Sequence, residues 1–122
     1  EVVLNYDIKS DLGTVNMENW KQIERLAPFG TGNPKPVFLF ESINIERLKK
    51  FGKNGSGEHL EIIFSDKRET DRKRAVAVSF FSDANSFQRS LKEGMPVNLL
   101  ATFDLSRFRG KEELRLRVVD II

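Results

Sequence analysis

The spacing of apolar residues changes once along this chain. Up to about residue 27 it is helical: Met17, Trp20, Ile23, Leu26 and Ala27 share one face, which predicts a helix over Met17–Ala27. Asn16 suits the N-cap, Val15 and Trp20 stand at the spacing of a hydrophobic staple, and Glu18 favours the positive end of the helix dipole. Trp20 therefore belongs with the core rather than with an exposed stacking surface. Ahead of the helix, Val2, Val3, Leu4 and Tyr6 predict a short strand within Glu1–Asp7, and Ser10, Asp11 and Gly13 a polar turn. From Val37 to the end the apolar residues fall in β-type runs.

Between the two regimes lies LAPFGTGNPKPVF, Leu26 to Phe38, which holds three of the four prolines, Pro28, Pro34 and Pro36, together with Gly30 and Gly32. Proline fixes φ and disfavours helix at the preceding residue, so the stretch is expected to be a stiff, shaped connector. Gly30 and Gly32 are expected to supply turn conformations that other residues resist. This divides the chain into a connector segment, 1–36, and a β domain, 37–122.

Five strands are expected in the second part. The first, Val37–Ile45, continues bent through Arg47, Lys49 and Phe51, and a loop follows at Gly52, Asn54, Gly55, Ser56 and Gly57. The others are Glu58–Phe64, Arg74–Phe81, Pro96–Phe108 and a last strand after the Arg109-Gly110 turn. In that last strand Leu114, Leu116 and Val118 face one way and Arg115 and Arg117 the other. A short helix capped by Ser82 or Asp83, running through Ala84, Phe87 and Leu91 and closed by Gly94, is expected between strands three and four. Three strands, a helix and two strands, with the first strand long and bent, is the element order of a five-stranded OB-fold Greek-key barrel. The fold class is thus mainly β, with an N-terminal strand-helix segment before the barrel.

Composition narrows the chemistry. With 122 residues the chain suits one compact domain, and with no cysteine it lacks disulfides and thiolate metal sites, which fits a reducing cytoplasmic setting. No run approaches the ~20 apolar residues of a membrane span, so a soluble chain without a membrane partner is expected. Starting on Glu1 and ending on an apolar run, it reads as a piece of a longer protein. The net charge is only +2, so placement of charge matters more than its sum; residues 37–122 carry sixteen basic against thirteen acidic side chains.

Catalysis has little to stand on. His59 is the one histidine, expected at a solvated or edge position rather than as a ligand or general base. GTGNPK lacks the spacing of a phosphate-cradling loop, and Asp66, Glu69 and Asp71 alternate with basic residues in what reads as a solvated loop over Ser65–Lys73, with Lys67, Arg68, Arg72, Lys73 and Arg74. Binding has more. Arg47, Lys49, Lys50, Phe51 and Lys53 mix cations with an aromatic at the end of strand one, and Arg107, Phe108, Arg109 and Lys111 repeat the mixture at the last hairpin. In an OB barrel these two segments flank the groove that holds single strands, where cations track phosphates and Phe51 and Phe108 stack on bases. Arg115 and Arg117 extend that face or pair with carboxylates such as Glu112 and Glu113. The competing expectation makes the two phenylalanines barrel plugs and the cations solubilising surface.

LAPFGTGNPKPVF resembles the LxPFGxGNPxPxF connector that joins the catalytic core to the OB domain in the RecJ family of bacterial exonucleases specific for single-stranded DNA. The preceding VLNYDIKSDL and IERLAPFG, and the closing RGKEELRLRVVDI, are similar to flanking parts of that family, so the resemblance covers essentially the whole chain. The DKRETDRKR loop, and Lys9 in place of an acidic residue, depart from the pattern. The resemblance implies a parent 5′ to 3′ exonuclease of DNA repair and recombination, using Mn²⁺ or Mg²⁺ at a DHH-type site in domains absent from this sequence. It implies no catalytic or metal residue here. It implies instead an OB module that binds single-stranded DNA, attached to the DHH and DHHA1 catalytic domains, with single-stranded-DNA-binding protein as a further partner. Gly30, Gly32 and Asn33 would then shape the interdomain turn. The alternative from another class is a structural or protein-interaction OB module that docks on the catalytic core or on a repair partner.

Overall fold

A computed structural model describes residues 5–68, 73–108 and 110–122, with Asn54 described in its backbone only. One sheet contains every strand: β1 (Ile8–Ser10), β2 (Phe38–Phe51), β3 (His59–Ser65), β4 (Arg74–Ser79), β5 (Pro96–Phe108) and β6 (Lys111–Ile121). Its order is β1-β2-β3-β4-β6-β5, and a further pairing of β2 with β5 closes β2 to β6 into a five-stranded barrel. Those are the five strands expected from the sequence, and the fold is an OB barrel preceded by a strand and the helix α1 (Met17–Glu24).

Closure depends on the bend in β2. Its first half pairs with β5, Phe38 opposite Ala101, and its second half with β3, Phe51 opposite His59. The register shifts between Phe40 and Ile43 and again between Ile45 and Arg47. At the first shift Ser42 takes φ 52° and donates its amide to the Asn98 side chain at 2.9 Å. At the second the Leu48 amide finds Glu93 Oε2 at 3.0 Å, so both irregularities keep their backbone groups bonded. Parallel pairing of Ala77 with Leu116 and Val78 with Arg117 completes the ring.

The core is built from alternate residues of these strands: Phe40, Ile43 and Ile45, then Leu60, Ile62 and Phe64, with Ala77, Leu99, Ala101, Leu116 and Ile121. Leu12 enters it from a 3₁₀ turn before α1, and Val15, Trp20 and Ile23 pack against its edge. Asn16 caps the helix by accepting the Asn19 amide at 2.9 Å.

Four expectations are corrected. Among the described residues the N-terminal strand is Ile8–Ser10 and does not include Tyr6 or Asp7, both expected in it; Asp7 ties its start, accepting the Val37 amide at 2.8 Å, and the rest of that expectation, residues 1–4 with Val2, Val3 and Leu4, lies outside the described residues. The helix stops at Glu24, because Pro28 disfavours helix before it and the chain tightens through bonds from Leu26 and Ala27 to the carbonyls three residues back; Met17 and Leu26 stay exposed. No helix forms between β4 and β5. Asp83 there accepts the Asn85 amide at 2.7 Å, closing a turn instead of capping a helix, although Leu91 is buried and Ala84 and Phe87 pack on the core as a plug. Gly94 does end the segment at φ 92°, donating its amide to Ile45 O.

The fourth concerns the connector. Gly30 and Gly32 are not in the left-handed region, and a Cβ at either meets nothing within 4 Å. The turn is held by Asn33, whose amide and carbonyl pair with those of Gly30 at 3.0 and 2.9 Å and whose side chain donates to the carbonyls of Leu26 and Pro28 at 2.6 and 3.0 Å. Asn33→Ala is therefore expected to cost about 1 kcal/mol, while Gly30→Ala and Gly32→Ala stay near neutral. Urea unfolding midpoints of the three variants check this, and the reverse ranking would restore the glycines as the shaping residues.

Candidate nucleic-acid interface

Alternation along β2 decides which side chains face outward. Leu48 packs on the core, so Arg47, Lys49 and Phe51 point out of the barrel, and Lys50 points with Leu48 toward its end. On β4 the small residues Ala75 and Ala77 take the core side, which turns Val76, Val78 and Phe80 outward. On β6 Leu114, Leu116 and Val118 face the core and Glu113, Arg115 and Arg117 the other way.

The outward residues meet in a groove of about 570 Å³. Phe51, Gly52 and Lys53 line it from the end of β2, His59 and Glu61 from β3, Phe80 from the end of β4, and Arg107, Phe108, Glu113 and Arg115 from the β5–β6 hairpin. Two cation-aromatic segments some fifty residues apart in sequence are thus brought to one place.

An aromatic cluster forms the floor. The His59 ring stands 5.2 Å from Phe51, 5.1 Å from Phe80 and 4.7 Å from Phe81, centroid to centroid. Its Nδ1 accepts the Phe81 amide at 3.0 Å, so that nitrogen carries no proton in this arrangement. His59 is not on an edge strand, since β3 is paired on both sides, and it is partly exposed in the groove. Over Phe80 lie the guanidinium groups of Arg117, at 4.7 Å, and Arg115, at 5.8 Å.

The basic residues differ in how they are held. Arg115 is half-buried and bonded through Nε to Asp104 Oδ2 at 2.8 Å, and Arg107 is exposed and bonded to Glu112 at 2.9 Å. Lys49 is exposed opposite Glu61, and Lys53 and Lys111 are exposed at the two loops. Lys50 donates from Nζ to Ser82 O at 2.8 Å, off the groove wall. Arg47 is four residues from Phe51, roughly 13 Å along the strand, and lines a separate hollow of about 450 Å³ with Glu46, Ile63, Arg74 and Glu93. The groove does not include it. Arg109 lies outside the described residues. Neither Phe51 nor Phe108 is in the core cluster, so they are not barrel plugs.

At the described start of the charged loop Asp66 is buried, while Lys67 and Arg68 are exposed. Asp66 is 2% exposed and bonded to the Arg68 guanidinium and amide, each contact 3.0 Å, and Arg68 also donates to Glu41 O. Arg74 pairs with Glu46 at 2.7 Å, and Lys9, the residue that departs from the family pattern, pairs with Glu41. Glu69, Asp71 and Arg72 lie outside the described residues.

Sequence reasoning missed Phe80, Phe81 and His59 as site residues. The signal was present for Phe80: alanines at alternate positions of β4 mark the inward side, so the larger residues between them face out. Nothing local marks His59, whose place depends on partners from two other strands.

Among the described residues no group of three or more His, Cys, Asp or Glu could hold a metal ion, and no helix is long and apolar enough to cross a membrane. No curated protein sequence matches the chain. Solved structures that share its fold include RecJ from Thermus thermophilus in complex with Mg²⁺, with TM-score 0.60, and RecJ from the same organism in complex with Mn²⁺, with TM-score 0.62. Both are 17% identical to it; they cover 94% and 95% of this chain, which spans 16% and 15% of theirs. The family model described as the RecJ OB domain matches residues 6–120, nearly the whole length, and the chain belongs to that family.

Proposed function

We propose that this chain is the single-stranded-DNA-binding module of a RecJ-like 5′ to 3′ exonuclease of DNA repair and recombination, and is not catalytic by itself. The observation that carries this is the groove, where Phe51 and Phe108 stand beside Lys53, Arg107 and Arg115. Cations beside aromatic rings grip a single strand without sequence preference, since the cations track phosphates and every base has a face to stack; Glu61 and Glu113 share the wall, so the placement of these cations matters more than the sum of charge. Arg107 and Arg115 exchange their carboxylate partners for phosphate as the strand enters, and Lys49, Lys53 and Lys111 add charge at the rim.

The Mn²⁺ or Mg²⁺ of the parent enzyme belongs to its DHH and DHHA1 domains. The acidic residues described here do not converge on a point that suits a metal, so no step is assigned to one.

A second reading, docking on the catalytic core or on a partner such as single-stranded-DNA-binding protein, draws on a different surface. Ile8, Ile23, Phe38 and Phe103 line an apolar hollow of about 320 Å³ between α1 and the sheet, and it shares no residue with the groove. The two readings therefore hold together on one domain.

Fluorescence-polarisation titration of the chain with single- and double-stranded oligonucleotides at two salt concentrations tests the main reading. Tighter binding of the single strand is expected, with log K falling by roughly 0.7 per phosphate contact for each tenfold rise in salt. No oligonucleotide degradation is expected with Mn²⁺ or Mg²⁺. Equal or absent binding of both forms would sink the proposal, and degradation that survives denaturation and refolding would return catalysis to residues dismissed above.

A further inference from the structure

Phe81 has a geometry that the groove does not account for. It follows β4 with φ 53°, a left-handed conformation that a bulky side chain rarely takes, and its ring is 79% exposed. Folding draws little from such a ring, because most of its surface stays in water. A glycine would suit that backbone better.

The conformation is nonetheless held from several sides. The Phe81 amide donates to His59 Nδ1 at 3.0 Å, and the Ser79 and Ser82 hydroxyls bond each other at 2.8 Å across it. Lys50 Nζ binds Ser82 O at 2.8 Å. The ring stands at 80° to His59, beside the Phe51–His59–Phe80 floor, and most of its surface is open to solvent. Lys50 brings a cation to this turn through its bond to the Ser82 carbonyl, one residue on from Phe81, and the neighbouring carboxylate, Asp83, is engaged with the Asn85 amide.

We propose that Phe81 is a base-stacking platform that extends the single-strand path past Phe51, with the Lys50 ammonium beside it for a phosphate. This rests on the groove reading above. An exposed ring held in a strained turn, continuous with an aromatic floor and flanked by a cation, matches a nucleobase and its phosphate; strain of this kind is retained where function uses it.

The test is polarisation titration of oligothymidylates of about 5 and about 15 nucleotides, lengths that bracket most OB-fold sites. The proteins are the unaltered chain, Phe81→Gly, Phe81→Leu, Phe81→Trp and, as a groove control, Phe108→Ala. Phe81→Gly and Phe81→Leu are expected to weaken binding of the longer strand about 5- to 150-fold, the span of one stacked base, and to leave the shorter nearly unchanged. Phe81→Trp keeps the affinity. Phe81→Gly keeps or raises the thermal midpoint, because glycine relieves the backbone. Loss of affinity in Phe108→Ala with none in either the Gly or Leu variant would overturn the platform and leave the groove standing. Should Phe81→Gly unfold while Phe81→Leu binds like the unaltered chain, the ring's role is packing and the proposal also fails. If the unaltered chain binds neither strand, the groove reading falls and takes this inference with it.

Discussion

Phe108→Ala is expected to weaken the complex with a single-stranded oligonucleotide by about 1 to 3 kcal/mol while shifting the unfolding midpoint little. The ring sits at the tip of the β5–β6 hairpin, 69% exposed, and lines the groove without entering the core. Truncation removes a stacking face and no phosphate contact, so the dependence of log K on salt stays as it was. Phe51→Ala serves as the contrast. Phe51 is half-buried against His59 and 6.3 Å from Phe80, so its loss costs stability as well as affinity. Lys67→Ala is the control for non-specific charge, since Lys67 is exposed in the β3–β4 loop and does not line the groove. Arg68 cannot share that role, being bonded to Asp66. An unchanged affinity in Phe108→Ala, with the unaltered chain binding normally, would move the site away from this hairpin. A larger loss in Lys67→Ala would move it to the loop.

What was legible in advance follows from what each signal depends on. Strand alternation is local, so the sequence pattern bounds β5 at Pro96–Phe108 as observed, and it marks Leu60, Ile62 and Phe64 as the inward set. The Asn16 cap was legible for the same reason. The helix expected at residues 82–94 was not, because its apolar spacing reports only that Ala84, Phe87 and Leu91 turn inward. A plug of turns satisfies that as well as a helix, and the Asp83 side chain favours the turn. A bend in β2 was expected, but its pivot falls on Ser42, whose left-handed backbone is bonded to Asn98 from a distant strand.

The site shows the same division. That cations and aromatics from the two hairpins converge followed from barrel topology, and the groove brings Phe51 and Phe108 together. Which cations reach it depended on half-turns of the strand and on carboxylate partners. Arg47 falls away along β2 and Lys50 turns to Ser82, while Arg115 lines the groove with its guanidinium bonded to Asp104. His59, read as a bystander, became the centre of the floor because β2 and β4 deliver Phe51 and Phe80 to either side of it.

Asp66→Asn is expected to destabilise the domain by about 1.5 to 3 kcal/mol at pH 7, the range for hydrogen bonds to a charged group. The loss should fall toward the lower end, since the Arg68 side chain is 62% exposed and the pair is partly screened by water and salt. Asn keeps one acceptor for the Arg68 amide but turns a donor toward Arg68 Nη2, which now meets Asp66 Oδ2 at 3.0 Å. The same guanidinium reaches Glu41 O on β2, so the substitution also loosens the loop from the strand that bends to close the barrel. The Arg68 side chain holds the Asp66 carboxyl below its ordinary value; burial pushes the other way, and the Arg68 amide adds to the lowering. A carboxyl whose folded value is depressed contributes stability that is fully present above the unfolded value, about 3.9, and is lost as pH falls through the folded value. Urea unfolding of both proteins at neutral pH and across the acid range should therefore show the gap between them closing below about pH 4. A gap that persists undiminished in acid would mean that shape and packing, rather than the charge on Asp66, tie this loop to the barrel.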